Sequence, residues 1–171
     1  MVAPSLRSKR FVLLPLSPAD LDEATAIFAD ARVMSYVDGA TRDRASTARA
    51  LEANQRCWTA NGWGLWAIRD ASSGAFLGQG GLQPATEVSN AAVELSIIIN
   101  QRNWGKGVAT EAGHLIVFDA WTRYAGHEIH AIVHPDNSAA GPVLRKLGFR
   151  HQDDELIRGE TLQLWQTQRL A

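Results

Sequence analysis

The stretch VELSIIINQRNWGKGVATEA, residues 93–112, carries the strongest structural signal in the chain. Its first seven residues are rich in branched aliphatic side chains, which is typical of a buried strand. Two glycines one residue apart, Gly105 and Gly107, follow a short polar segment. Apolar residues then recur at i, i+4, i+7 and i+8 from Val108 to Ile116, which is a helical spacing. The stretch therefore predicts a strand, a glycine turn and a helix.

A turn of this kind predicts an anion site. The first N–H groups of a helix have no partner within the helix, and the helix dipole makes that end positive. Glycine allows an anion to approach the backbone closely, and Arg102 and Lys106 add positive charge. The turn has neither the Gly-Lys-Ser/Thr ending of a P-loop nor the three glycines of a dinucleotide site. The plain alternative is a tight turn that requires positive φ.

Two motifs in order carry a resemblance to a known family. Residues 102–107, RNWGKG, fit the pattern R/Q-x-x-G-x-G/A, and residues 137–149, NSAAGPVLRKLGF, are similar to N-x-x-S…V-L-x-K-L-G-F. The chain thereby resembles the GCN5-related N-acetyltransferases (GNAT). The extension WGKGVATEA resembles the RimJ/RimL type of ribosomal-protein N-acetyltransferase.

The resemblance implies one GNAT domain over residues 1–171. The implied fold is α+β, with a mixed, mostly antiparallel sheet of about seven strands and about four helices, in which the fourth and fifth strands splay apart. The strands are expected at 10–16, 64–70, 75–82, 93–99, 128–133, 149–152 and 161–168. The helices are expected from Ser17, over 45–58, from Val108 to about Tyr124, and after residue 137.

The implied activity is direct transfer of an acetyl group from acetyl-CoA to a primary amine, which could be a protein N-terminus or a small molecule. The resemblance assigns the pantetheine to the backbone of Ile97, Ile98 and Ile99. Asn137 is either a helix N-cap or a contact to the co-substrate. The residues implied to hold the pyrophosphate are Arg102, Asn103, Gly105, Lys106, Gly107, Val108, Ala109 and Thr110.

Glu94 is the candidate general base. Strand alternation places Glu94, Ser96 and Ile98 on one face of the strand, opposite Val93 and its alternate neighbours. A carboxylate within an apolar strand is costly unless it is solvated or paired, so it marks either a cleft or a solvent-facing surface. The family pattern favours the cleft. Glu111 on the following helix matches the family pattern but is interpreted as a solvated or capping-turn residue and not as a base.

Three departures from the family pattern concern the proton for the departing thiolate. Leu144 stands where many members have a tyrosine, Ala140 where RimL-like members have a serine, and Ser96-Ile97 where Gly-Tyr is usual. The donor is therefore water or an unmatched group, for which Ser138, Tyr36 and His134 are candidates. The same departures motivate an alternative, a non-catalytic CoA-binding module.

Composition limits the remaining possibilities. The 171 residues are 46% apolar and 20% charged, with a formal net charge of −1, which gives no sign of a nucleic-acid or membrane surface. Cys57 is the only cysteine, so no intrachain disulfide can form, and a cytoplasmic location is expected. The histidines show no metal-ligand spacing, so no metal is expected. The protein is expected to be a monomer or a homodimer.

Overall fold

The structure is a computed structural model that describes residues 3–37, 39–85, 88, 93–157 and 159–169. Within these residues eight strands form one sheet, and five α-helices connect or flank them. The strands are β1 (Leu6–Arg7), β2 (Phe11–Pro15), β3 (Leu65–Asp70), β4 (Phe76–Pro84), β5 (Val93–Ile99), β6 (Glu128–Val133), β7 (Arg150–Ile157) and β8 (Glu160–Gln168). The helices are α1 (Leu21–Phe28), α2 (Ala31–Met34), α3 (Arg44–Asn61), α4 (Val108–Arg123) and α5 (Ala140–Lys146).

The sheet confirms the predicted α+β class with a mixed, mostly antiparallel arrangement. Its strand order is β1-β2-β3-β4-β5-β6-β8-β7, and only the central pair, β5 with β6, is parallel in the described residues. A parallel pair needs a crossover connection, which α4 supplies. The sheet therefore changes from hairpin connections to a crossover at β5.

The alternation predicted for β5 is confirmed by the packing on its two faces. Val93, Leu95 and Ile99 belong to the main core, which includes the buried face of α4. Ile98 belongs to a second cluster that is formed with residues of α1, α2 and α3. The face that carries Glu94 is therefore the face opposite α4.

Local signals explain where α3 begins and ends. The Asp43 carboxylate accepts a hydrogen bond from the Ser46 N–H at 2.7 Å, which caps the helix N-terminus. Gly62 ends the helix with φ of +75°, a left-handed conformation that glycine adopts readily. The helix is longer at both ends than the predicted span of 45–58 because these capping residues lie outside the apolar stripe.

Two short elements were not predicted. β1 pairs with β2 at the edge of the sheet, and α2 lies within the predicted connection between the first two long helices. Both elements are too short to show a hydrophobic period. β7 extends to Ile157, five residues beyond the predicted end at residue 152. Its additional residues are mostly polar and exposed, so they gave no strand pattern.

The interpretation of Asn137 as a helix N-cap is wrong. α5 begins at Ala140, and its N-cap is Ala139. Pro142 lies in the first turn of this helix, where the missing N–H of proline would have no partner within the helix in any case. Residues 137–139 form turns instead, in which the Ala140 N–H donates to the Asn137 carbonyl at 3.1 Å.

Candidate active site

The sheet opens between β5 and β6. Seven residue pairs join β5 to β4, whereas Glu94 and His130 form the one pair in register between β5 and β6. β6 remains paired with β8 over its whole length, from Glu128 to Val133. Because the two strands are parallel, the unpaired part lies toward the C-terminal ends of both. The predicted splaying of these strands is therefore present, and the gap opens toward the glycine turn.

Backbone groups of β5 line this gap. The Asn100 N–H donates to the Leu77 carbonyl of β4 at 2.8 Å. Since peptide groups of alternate residues point to opposite sides of a strand, Ile98 also faces β4, whereas Ile97 and Ile99 face the gap. The geometry thus favours Ile97 and Ile99 over Ile98 as backbone partners for a ligand that lies in the gap.

The predicted glycine turn connects β5 to α4. A short 3₁₀ segment, Gln101–Asn103, follows the strand, and Gly105 and Gly107 have φ of +72° and +77°. Gly107 is the N-cap of α4, and the first backbone bond of the helix runs from the Glu111 N–H to the Gly107 carbonyl at 3.0 Å. The N–H groups of residues 108–110 precede this bond and point out of the helix end. The turn has the geometry of an anion site.

Side chains brace the turn against the end of β5. The Trp104 indole N–H donates to the Ile99 carbonyl at 2.7 Å, and the Asn103 amide donates to Asn100 Oδ1 at 2.6 Å. Lys106 Nζ lies 3.3 Å from Asn103 Oδ1. The loop is therefore held in position before a ligand binds, which lowers the entropy cost of binding.

Arg10, immediately before β2, ties the N-terminal part of the chain to the turn. Its Nε donates to Glu111 Oε2 at 2.7 Å, and its Nη1 donates to the Lys106 carbonyl at 3.0 Å. A Cβ on Gly107 would lie 3.4 Å from Arg10 Nη2. Arg10 thus contacts the turn, its N-cap and the first turn of α4.

Glu111 takes part in this structural contact. Partial burial would raise the pKa of its carboxyl group, but hydrogen bonds from Ser8 and Arg10 and the charge of Arg10 outweigh burial and lower the pKa. An ionised carboxylate already bound to a guanidinium is a poor proton acceptor. The structure therefore agrees with the interpretation that Glu111 is not the base, although it is paired and not simply solvated.

Positive charge collects around the turn. Arg102 and Lys106 are exposed, and a shallow cavity of about 360 Å³ lies beside the turn and is also lined by Lys9 and Arg10. The one carboxylate of its lining, that of Asp70, accepts hydrogen bonds from nearby serine groups, which hold its pKa far below the usual range. The surface beside the turn, on the side of β2 and the β3–β4 connection, is therefore predominantly positive.

Glu94 lies at the closed end of the gap. It is half-buried, and one of its carboxylate oxygens accepts a hydrogen bond from the Gln83 amide on β4. Gln83 and His130 are its partners in register on the two neighbouring strands. The carboxylate is therefore placed at a partly covered position on the face opposite α4, and not on an open solvent face.

The unmatched groups considered as proton donors lie at the rim. The rings of Tyr36, after α2, and His134, after β6, have centroids 6.1 Å apart. The Asp136 N–H donates to His134 Nδ1 at 3.2 Å, and Ser138 is exposed in the next turn. Asn137 is half-buried in the same connection. Tyr36 and His134 therefore form one wall at the C-terminal end of β6.

Cys57 has no feature of a nucleophile. It lies on α3, and burial raises the pKa of its thiol, so less thiolate is present at neutral pH. Among the described residues no group of three or more His, Cys, Asp or Glu side chains could hold a metal ion. In the same residues, no helix combines the length and apolar character that a membrane crossing requires.

Three residues of the site were missed by sequence reasoning. Arg10 acts through contacts with residues about 100 positions away, and Trp104 is an unassigned position within the motif. His130 was considered only as a metal ligand. A histidine between apolar residues, at the third position of EIHAIV (residues 128–133), was the available signal, and it did not specify a partner.

Comparison with known proteins gives a family match. The family described as "Acetyltransferase (GNAT) domain" matches this chain over residues 10–150. These residues include β2, the glycine turn and α5. An uncharacterized protein, YkkB of Bacillus subtilis (strain 168), is 30% identical over 135 residues, which are 77% of this chain and 78% of YkkB.

Solved structures with the same fold have lower sequence identity. A GNAT-family acetyltransferase of Bordetella pertussis is 22% identical, with a TM-score of 0.83 and coverage of 95% of this chain and 98% of the other. Spermidine N-acetyltransferase of Vibrio cholerae, in complex with CoA and spermine, is 20% identical, with a TM-score of 0.76 and coverage of 94% and 96%. The ribosomal-protein-S5-alanine acetyltransferase of Vibrio fischeri is 16% identical, with a TM-score of 0.80 and coverage of 96% of both chains.

Proposed function

The chain belongs to the GNAT acetyltransferase family, and from this premise we propose that it is an acetyl-CoA-dependent N-acetyltransferase that moves the acetyl group directly to a primary amine. The observation that carries the proposal is the alignment of three features in one line. A braced glycine turn lies at one end of the gap between β5 and β6, unpaired backbone lies along it, and a carboxylate lies at its closed end.

The chain's residues fit the parts of acetyl-CoA in that order. Arg102, Lys106 and the N–H groups of residues 107–110 are proposed to hold the pyrophosphate. Ile97 and Ile99 would bind the pantetheine as an added strand. The N–H of Ile97, which faces the gap, is proposed to donate to the thioester oxygen and so to stabilise charge on it. Asn137, in the connection before α5, is proposed as a further contact.

Glu94 is proposed to take a proton from the acceptor ammonium, directly or through water. An amine attacks a thioester only when its lone pair is free, so a base near the acceptor raises the reactive fraction. The Gln83 amide donates to one oxygen of the Glu94 carboxylate and so fixes the orientation of the carboxylate. Direct transfer requires no covalent acetyl-enzyme, in keeping with the raised pKa of Cys57.

The acceptor class and the branch of the family are finer proposals. Relatives by fold include an enzyme named for spermidine and one named for a ribosomal-protein alanine, so both small amines and protein N-termini remain in the proposal. The WGKGVATEA extension supports the RimJ/RimL-like branch. A cytoplasmic location and a monomeric or homodimeric state are part of the same proposal.

The alternative function is a CoA-binding module without catalysis. Leu144 is buried in the main core at the position where many members have a tyrosine, so it offers no proton. Exchange of Glu94 for glutamine distinguishes the two functions, because an enzyme loses amine acetylation but keeps its affinity for acetyl-CoA. A binding module has no acetylation to lose.

The test has two stages. Calorimetric titration with acetyl-CoA should show saturable binding to the purified protein, whereas ATP and NAD should not compete. Thiol release from acetyl-CoA is then measured with butylamine, spermidine and a peptide that has a free N-terminal alanine. Thiol release with at least one amine is expected. Binding without any thiol release would favour the non-catalytic alternative, and absence of binding would contradict both.

A further inference from the structure

His130 lies directly across the gap's closed end from Glu94. The two residues are partners in register on parallel strands, and neighbouring strands lie about 4.8 Å apart. The residues adjacent to each in sequence pack into the main core beneath α4, so both side chains project to the opposite face of the sheet. These neighbours are Val93 and Leu95 on β5, and Ile129 and Ala131 on β6.

One nitrogen of His130 has no protein partner. The residue is only 8% exposed, and Nδ1 is a buried atom without a hydrogen bond in the part of the chain that the structure describes. Nε2 lies 3.6 Å from Glu128 Oε2 on the same strand. Buried polar atoms are nearly always hydrogen-bonded, because an unmet group forfeits its interaction with water. An unmet nitrogen at this position is available to a water molecule or to a ligand that lies beside Glu94.

The Glu128 carboxylate, 3.6 Å from Nε2, favours one of the two neutral forms of the His130 imidazole. A neutral imidazole has one N–H and one bare nitrogen, and a carboxylate near Nε2 favours the hydrogen there. Nδ1 is then the bare nitrogen and can only accept. Glu128 thus acts on His130 through its charge and not through a direct hydrogen bond.

We propose that His130 Nδ1 accepts a hydrogen bond from the acceptor amine beside Glu94 and takes one of the protons that this nitrogen loses. The proposal rests on the proposed N-acetyltransferase function. Conversion of an ammonium to an amide forms one C–N bond, breaks the C–S bond and removes two protons from nitrogen. Glu94 accepts one proton and His130 the other. One of the two returns to the departing sulfur and the second passes to solvent, so the transfer balances without a further reactant.

The charges around His130 favour an acceptor amine in its protonated form. The ionisable groups on this face near His130 are Glu94 on β5, Glu128 on its own strand and Arg150 on β7, beyond Gln166 of β8. Two carboxylates flank the imidazole, and the arginine is two strands away. This arrangement attracts a protonated primary amine and supplies two acceptors for its two labile protons.

The tautomer of His130 can be measured without any substrate. Long-range ¹⁵N NMR of the histidine-labelled protein should show the Nε2–H form for His130, and the Glu128→Gln variant should shift it toward a mixture. Assignment uses the loss of one signal in His130→Asn. A dominant Nδ1–H form in the wild type would overturn the proposal, because Nδ1 could not then accept.

A kinetic test separates hydrogen bonding from proton transfer. An asparagine oxygen can accept a hydrogen bond where Nδ1 does, but it does not take up the proton. With butylamine as acceptor, His130→Asn should retain the KM for the amine and the affinity for acetyl-CoA and should lose about 10²-fold or more in kcat. His130→Gln is a second variant for the same comparison of kcat, KM and affinity. His127→Gln, at an exposed position, is the matched control and should behave as the wild type.

The outcomes distinguish the two proposals. Wild-type kcat in a folded His130→Asn protein that binds acetyl-CoA would contradict the role of His130 alone. A wild type that releases no thiol with any amine would contradict the proposed function. In that case the tautomer measurement still decides whether Nδ1 is an acceptor, and an Nδ1–H result would remove the site as well.

Discussion

Glu94 and His130 are the one residue pair that joins β5 to β6 in register, and both side chains lie on the face opposite α4. The carboxylate is held by Gln83, and the imidazole is flanked by Glu128. The sheet therefore begins to open at the position where the Glu94 and His130 side chains lie on neighbouring strands. Past this pair, the strands separate toward the turn of Gly105 and Gly107.

Exchange of Glu94 for glutamine should lower kcat with butylamine by about 10²- to 10⁴-fold, because glutamine keeps the shape but cannot take a proton. Acetyl-CoA affinity should stay within twofold of the wild type. The measurements are thiol release and calorimetry. Glu160→Gln, at an exposed position of β8, is the control. Unchanged kcat would mean that Glu94 is not the base.

Replacement of both Gly105 and Gly107 by valine should abolish measurable acetyl-CoA binding. Left-handed φ costs a residue with a Cβ about 1–2 kcal/mol, and the new side chains would also cover the N–H groups of the turn. Gly62→Val is the matched control for Gly105, since both residues have left-handed φ and an added Cβ at either meets no atom within 4 Å. The control should lose stability but keep its affinity. Tight binding by the folded double variant would argue against a phosphate site here.

Arg10→Gln should weaken acetyl-CoA binding although Arg10 is far from the turn in sequence. The substitution removes hydrogen bonds to Glu111 and to the Lys106 carbonyl, so the turn loses a brace. A double-mutant cycle with Glu111→Gln should give a coupling free energy of about 0.2–1 kcal/mol in urea unfolding, as expected for a partly exposed ion pair. Strictly additive effects would show that the pair contributes nothing to stability.

Stability should fall in acid partly through Glu111. Its pKa is lowered in the folded state, so its contribution is present above the unfolded value, near 4.5, and is lost as the pH falls through the lower folded value. Urea midpoints measured from pH 7 to pH 3 should therefore decline less steeply in Glu111→Gln than in the wild type. Parallel curves for the two proteins would exclude this contribution.

Tyr36→Ala should raise the KM for the amine acceptor and leave acetyl-CoA affinity unchanged. The Tyr36 ring lies beside His134 and follows α2, which packs on the same face of the sheet as Glu94, so its loss removes a wall on the face proposed for the acceptor. Tyr36→Phe keeps the ring and should behave as the wild type in steady-state kinetics. A large fall in kcat for the phenylalanine variant would instead identify the Tyr36 hydroxyl as the donor to the thiolate.

The parts of the site that could be predicted from sequence are those with a local cause. The Val93–Ile99 strand, the turn and α4 follow one another in the chain, and each has its own periodicity or glycine signal. The separation of Glu94 from Val93 by strand face follows from alternation alone and is confirmed by the packing. The individual co-substrate contacts remain predictions.

The parts that could not be predicted depend on distant pairing. The bond between Arg10 and Glu111 spans 101 positions, and nothing near either residue announces the other. The neighbour of His130 depends on the register of a parallel pair whose strands are separated by all of α4. α5 begins three residues after Asn137, with Pro142 in its first turn, and neither residue alone specified that start.

The one pair in register between β5 and β6 divides the sheet into two parts. One part contains β1 to β5, the other contains β6, β8 and β7, and α4 bridges the two parts. A molecule that occupies the gap as an extra strand would connect the two parts of the sheet. Amide hydrogens of β6 and β8 should then exchange more slowly when co-substrate is bound. The melting temperature should rise with the concentration of co-substrate. Thermal stability would then report the concentration of free acetyl-CoA.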